Sequence, residues 1–301
     1  MKILICVCTY KRNANLNKCL MSFVKAIIPF NFNIEFLIID NTINQNAKNI
    51  VYKIKKKINR KIYYINEKKR GIVYARNKCL EEVKKINCDY FLFLDDDCEI
   101  DSRWFVNFKK IINKHNVKII TGPQIHKKNG RINKNLEIIF EKKINDNNKF
   151  VNWAATNNVI LSKKVLLSSN LKFDIRLNKF GMGEDQLFFL QLNKKGHKIL
   201  WNKEIKVYEK KHSHRSTMKW VTERSFRLGI LGNYIDKKIY GSIVGNIVNY
   251  IKSIYYLLLL ILTALYPFQK LYSYKLTSFI FRSFGRILSP FLFKKIEFYK
   301  K

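Results

Sequence analysis

At 301 residues and 47% hydrophobic content, the chain carries enough apolar mass for one large core or two smaller ones, which excludes a disordered polypeptide. The formal net charge of +36 sits mostly on lysines spread along the whole length, in a sequence also crowded with isoleucine and asparagine. So dispersed a charge attracts polyanions and anionic lipid headgroups in general. It does not define a nucleic-acid patch, and no helix-turn-helix, zinc or RNA-binding pattern accompanies it.

Residues 2–8 form a short apolar run that ends at Lys11 and Arg12 with no small-residue cleavage site, the pattern of a first buried strand rather than a signal peptide. A helix over residues 16–27, a strand over 34–39, a basic helix over 50–58 and a short strand over 62–65 follow. This alternation predicts a parallel sheet with crossover helices. Gly71 opens a further helix, with Ile72, Ala75, Cys79, Leu80, Val83 and Ile86 at helical spacing. All six cysteines, Cys6, Cys8, Cys19, Cys79, Cys88 and Cys98, lie in the first third without paired ligand spacing, as small core residues in a reducing compartment would.

Residues 90–100 read as a buried aromatic strand from whose end Asp95, Asp96 and Asp97 leave together. Adjacent carboxylates raise each other's pKa unless a cation holds them, and hard oxygen ligands suit Mg2+ or Mn2+ with positions left open for phosphates. A helix cap does not need all three, since Asp101 and Ser102 are better placed for that. Thr9 to Arg12 end the first strand and Asp40 ends the second. Open α/β sheets bind ligands at such carboxyl ends.

After a helix at residues 104–112 and a strand at 117–121, residues 122–149 read as loops around one irregular strand near 136–140. Strand character returns over 153–161, where Thr156, Asn157 and Asn158 are possible substrate contacts. Gly181-Met182-Gly183-Glu184-Asp185 then leads into an apolar helix. A carboxylate in the first turn of a helix is stabilised in its ionised form, so Asp185 can accept a proton, with Glu184 as the neighbour that orients the acceptor. Farther on, beyond Glu209, the pair His212 and His214 lies two residues apart and could offer one ligand to the cation, and Arg215, Arg224 and Arg227 suit bidentate phosphate binding.

The last residues change character. An uncharged stretch at 253–269, at the short limit of about 17–25 residues for a span, is flanked by basic and aromatic residues such as Lys252, Lys270, Tyr272 and Lys275. It fits a helix pair lying in an anionic membrane surface, a hairpin packed on the catalytic domain, or a single span. The expected division is a catalytic domain over 1–235 and a helical, membrane-associating tail over 236–301.

Taken in order and spacing, Cys8-Thr-Tyr-Lys-Arg, Asp40-Asn-Thr, Gly71-Ile-Val-Tyr-Ala-Arg-Asn, Phe93-Leu-Asp-Asp-Asp, Thr156-Asn-Asn-Val and Gly183-Glu-Asp-Gln resemble the family 2 glycosyltransferases with the GT-A fold. Glu209 and Arg215, then Trp220, Arg224 and Gly229, resemble the bacterial succinoglycan-type branch, and the likeness covers about residues 1–230. The resemblance implies a metal-dependent inverting transfer from a nucleotide-diphosphate sugar, with a UDP-sugar expected, to a glycan or glycolipid hydroxyl at the cytoplasmic membrane face. It places Thr9, Tyr10, Arg12, Asp40, Gly71, Arg76, Asn77, Asp95, Asp96 and Arg215 around the donor. Asp97 and Asp95 fall on the divalent cation, with Glu209, His212 or His214 matching the family's late metal or phosphate ligand, and Asp185 on the general base beside Glu184. Met182 stands where the family has the first glycine of its Gly-Gly-Glu-Asp motif. Two other readings are a sugar nucleotidyltransferase, against which the turn 9–13 lacks a glycine, and a basic nucleic-acid-binding protein.

Overall fold

The four apolar runs of the N-terminal third pair side by side. In the computed structural model, which describes residues 1–127, 147–210, 217–264 and 270–297, β1 (Lys2–Thr9) lies between and parallel to β2 (Asn33–Asp40) and β4 (Tyr90–Asp95). The short β3 (Ile62–Asn66) adds to the far side of β2. Crossovers run through α1 (Asn13–Ser22), α2 (Lys48–Ile58) and α3 (Ile72–Lys85). Then β6 (Ile119–Thr121), β8 (Lys149–Val151), β9 (Asn158–Ser162) and β10 (Ile199–Trp201) complete an eight-stranded sheet of order β3-β2-β1-β4-β9-β6-β10-β8. Here the parallel pattern breaks, because β9 runs antiparallel between β4 and β6 and β8 antiparallel to β10. The result is the mixed sheet of the expected fold class.

Period-two alternation sends the two faces of each strand into different cores. Ile3, Ile5, Phe36, Ile38, Leu92 and Leu94 meet α1, α2 and α4 (Trp104–Lys114) on one side. Leu4, Leu37, Ile39, Phe91 and Phe93 meet α3, α5 (Lys163–Ser169) and α6 (Glu184–Lys194) on the other. The cysteines are free, and five of the six are buried among these side chains.

Several expectations are corrected. The strand expected over 153–161 begins only at Asn158, since its ladder with β4 runs from Leu94↔Asn158 to Tyr90↔Ser162. The first helix stops at Ser22 and tightens into a single 3-10 turn, Phe23–Lys25, short of residue 27. Residues 122–149 were expected to be loops but hold β7 (Gln124–Lys127) and the start of β8. With β5 (Cys98–Ile100) and β11 (Val207–Lys210), β7 forms a three-stranded sheet of order β5-β11-β7. The irregular strand expected near 136–140 lies outside the described residues.

The described residues group into two compact units, 1–127 with 147–210, and 217–264 with 270–297. In this grouping α7 (Met218–Tyr240) goes with α8 (Ser242–Ala264) and α9 (Lys270–Leu292). Gly229 of α7 meets Gly285 of α9 so closely that a Cβ on Gly229 would stand 2.4 Å from the Arg282 carbonyl oxygen. Around this crossing Arg286 donates to Asp236 (2.8 Å) and Asn249 (3.0 Å), and Lys252 donates to Asp236 at 2.6 Å. No helix among the described residues is long and apolar enough to cross a membrane.

Candidate active site

The chain from β1 leaves to one side of the sheet and the chain into β4 arrives from the other, so a crevice opens beyond the carboxyl ends of these neighbours. Register sets Cys8 opposite Asp95, which brings the turn after Thr9 against the aspartate triplet. Thr9 Oγ1 donates to Asp96 at 2.8 Å, and Arg12 Nη1 reaches Asp96 at 3.2 Å and Asp97 at 3.1 Å. The turn bends through Lys11 at φ 54, a left-handed conformation uncommon for a residue with a Cβ. Burial pushes the Asp96 carboxyl up to about 6 against the pull of Thr9 and Arg12. Asp95 is raised as well, by burial first, with Arg76 working the other way.

Arg76 joins this triplet to a second set of carboxylates. It projects from α3, is 8% exposed, and binds Asp95 at 3.4 Å and Glu184 in direct contact. Burial works against its charge, while Glu184, Asp95 and Asp185 together hold it cationic. Glu184 opens α6 behind Gly183, which takes φ 88, and Gly181 takes φ 63. Both left-handed positions of this loop are glycines, so Met182 occupies a position that does not need one. Burial raises the Glu184 carboxyl, Arg76 lowers it, and its Oε2 is buried without a hydrogen-bond partner. Asp185, partly exposed in the same first turn, accepts from the Gln186 amide at 2.7 Å. Its charge is felt at both Asp95 and Arg76. Five carboxylates thus share the crevice with the guanidinium groups of Arg12 and Arg76.

Other expected donor residues sit close by but hold the framework. Asp40 is wholly buried, and its oxygens accept from Thr42 N (3.0 Å), Thr42 Oγ1 (2.7 Å), Ala47 N (2.9 Å) and Tyr64 Oη (2.6 Å). Gly71, at φ 134, packs on Asn178, where a Cβ would come within 2.0 Å of its Oδ1. Asn77 exchanges hydrogen bonds with the Phe173 main chain at 2.9 and 2.8 Å, so its amide is turned to that contact rather than to the triplet. Asn158 is buried and bonds Trp104 Nε1 (3.2 Å) and the Ile205 carbonyl (2.8 Å), which makes it a core tie rather than a substrate contact.

The small sheet extends the site. Glu209, 3% exposed on β11, pairs in register with Cys98, the residue after the triplet. Gln124 donates to Glu209 at 2.6 Å and accepts from Asn157 at 2.6 Å. Neither Gln124 nor Arg70, whose guanidinium stands 5.2 Å from the Tyr10 ring centre, carries a sequence signal. Both matter only because pairing and loop closure bring them there. His212, His214 and Arg215 lie outside the described residues. Among the described residues no three His, Cys, Asp or Glu side chains converge to hold a metal ion.

Open α/β sheets bind their ligands at this switch point, which is where the acidic residues gather here. The model of glycosyl transferase family 2 matches residues 4–166, more than half of the chain, and the chain belongs to that family. Its fold is GT-A-like. A mannosyltransferase from Pyrobaculum calidifontis, solved with GDP-Man and Mn2+, superposes with a TM-score of 0.62 at 12% identity, over 98% of this chain and 88% of that one. TarS of S. aureus superposes at 0.56 and 16% identity, over 81% of this chain but 44% of its own length. The TarS 1–349 structure with UDP-GlcNAc gives 0.54 and 17%, over 80% and 71%. At these identities the likeness shows the fold. No curated protein matches the sequence.

Proposed function

We propose that this glycosyltransferase moves one sugar from a nucleoside-diphosphate donor, a UDP-sugar by expectation, to a hydroxyl of a lipid-linked or cell-surface polysaccharide acceptor, with inversion. The observation that carries the reading is Arg76, which ties the donor-side Asp95 to Glu184 and so fixes the start of α6, with Asp185, beside the triplet. Similar folds solved with UDP-GlcNAc and with GDP-Man support a nucleotide-sugar donor. Free, buried cysteines suit a cytoplasmic site, and the spacing of Glu209 and Arg215 supports the succinoglycan-type branch.

The residues fit a divalent cation, Mg2+ or Mn2+. Asp95 and Asp96 are raised by burial first and by the neighbouring Asp97 charge after it, so a cation at this position would favour their ionised forms. A Mg2+-type site is commonly completed by substrate phosphates and water around one or two carboxylates, so it does not need three converging protein ligands. Asp97 and Asp95 are the residues to hold it, with Glu209, His212 or His214 as the later ligand. When bound, the cation offsets charge on the departing diphosphate.

The chain's own groups supply the rest. Arg12 and Thr9 fix Asp96 and Asp97, and Arg76 orients the base helix. Asp185 takes the proton from the acceptor hydroxyl, which attacks the anomeric carbon from the face opposite the leaving group, and a single displacement inverts the configuration. Asp185→Asn is expected to lower transfer by about 10²–10⁴-fold while nucleotide-sugar and Mn2+ still raise the melting temperature. Full activity in that variant, measured over a panel of nucleotide-sugars, would remove Asp185 from the role.

A further inference from the structure

The helical unit buries Val221, Ile230, Leu231, Ile235 and Ile239 of α7, yet α8 and α9 bury small and polar groups and turn aliphatic side chains outward. Its buried positions include Ser225, Asn249, Ser253, Ser283, Arg286 and Ser289. Ser225 pairs with Ser278 at 3.0 Å, Ser253 donates to the Asn249 carbonyl at 2.8 Å, and Ser289 donates to the Ile230 carbonyl at 2.8 Å. Outward stand Ile243 (78% exposed), Ile247 (53%), Ile251 (60%), Ile254 (57%) and Ile261 (58%) of α8, and Phe291 (71%) of α9. Only Gly245, Asn249 and Ser253, one narrow stripe four residues apart, are buried among the described side chains of α8. A helix facing water places its apolar stripe inward. Small and polar contacts between helices, with aliphatic side chains outside, are how helices pack when lipid is the surrounding medium.

Charge selects among occupants. No aspartate or glutamate occurs between Asp236 and Glu297, while Lys238, Lys294 and Lys295 are exposed. A second copy docked through this face would bring the same cations together, because a two-fold interface pairs a patch with itself. An anionic bilayer surface is complementary to them. The exposed apolar row from Ile243 to Ile261 is about 27 Å long at 1.5 Å per residue, and no described helix is apolar enough to span.

We infer that α8 and α9 form an in-plane docking face for an anionic lipid bilayer, with the isoleucine row of α8 sunk into the headgroup and acyl boundary. The inference deepens the proposed use of a lipid-carried acceptor and rests on that reading for its purpose. The surface itself is argued from the helical unit alone.

The test is sedimentation of the full chain with phosphatidylcholine vesicles, with and without phosphatidylglycerol. The wild type is expected to bind the anionic vesicles, less so at high salt. The triple variant Ile247→Glu, Ile251→Glu, Ile254→Glu is expected to lose partitioning by about tenfold or more per substitution, from the apolar surface removed. Equal sedimentation of the two proteins overturns the inference. So does a stable wild-type dimer that the triple variant splits without any vesicle binding by the wild type. Thermal stabilisation by UDP-GlcNAc or GDP-Man with Mn2+ is measured on the same samples. Vesicle binding without stabilisation by any nucleotide-sugar would count against the transferase reading and leave the lipid face standing; the reverse result would do the opposite.

Discussion

In the sheet unit Phe36, Phe91 and Phe188 are at most 1% exposed, and the ionised groups gather at strand ends. In the helical unit Ser283 and Arg286 are buried, at 0% and 7%, while Ile243 and Phe291 stand out at 78% and 71%. Most buried polar atoms of both units are hydrogen-bonded and each unit keeps a few that are not, such as Glu184 Oε2 and Asn233 Oδ1, so the difference is not one of packing quality. It is one of surroundings: the first unit hides apolar surface from water, and the second offers it. The buried charges follow the same contrast. Arg76 is buried where it can aim two carboxylates at a crevice, whereas Arg286 with Asp236 and Asn249 ties three helices together.

Substituting a matched aromatic in each unit is the strongest way to break this contrast. Phe93→Ala, in the sheet core, is expected to cost about 3–5 kcal/mol of unfolding free energy by denaturant titration. Phe291→Ala, on the exposed face, should stay within about 0.5 kcal/mol in lipid-free buffer. A comparable loss at Phe291 would mean that the face is covered by protein.

The two arginines sharpen the comparison. Arg76→Met leaves the buried Glu184 without its cation and should cost about 3–5 kcal/mol, whereas Arg286→Met leaves Asp236 still paired with Lys252 and should cost less. Only Arg76→Met should also remove transferase activity in the fraction that remains folded. Loss of activity in both variants at full folding would show that the units do not divide these tasks.

The smallest expected effect is a pH slope confined to the sheet unit. Asp96 is raised in the folded chain to about 6 from an ordinary 3.8, so the folded state holds its proton more tightly than the unfolded state does. Stability from this group is therefore full below about pH 4 and is lost as pH rises through about 6, by on the order of 2–3 kcal/mol. Melting curves of Asp96→Asn should lack that slope, and an unchanged slope would place the titration on another group.

Much of this was legible in the chain. The apolar runs at residues 2–8, 34–39 and 90–95 are too regular to be anything but central strands, and a carboxylate triplet at the end of one of them demands cationic company. The Gly-Met-Gly-Glu-Asp run likewise announces a loop entering a helix, because only glycine takes the left-handed turns at little cost. Alternation also fixes which residues share a face, since period two is a property of the backbone.

What local pattern could not show is partnership. Nothing near Arg76 says that it will meet Glu184, 108 positions away. Nor does Gln124, in a stretch that reads as loop, announce its bond to Glu209. The antiparallel direction of β9, the three-stranded sheet of β5, β7 and β11, and the grouping of α7 with α8 and α9 depend on long-range pairing. The same holds for the outward face of α8: the sequence shows that it is apolar, and only packing through Gly245, Asn249 and Ser253 decides that the isoleucines point away. Sequence sets each segment's periodicity and chemistry, because these act between near neighbours. Tertiary structure assigns the partners, because those are chosen by which distant surfaces can be buried together.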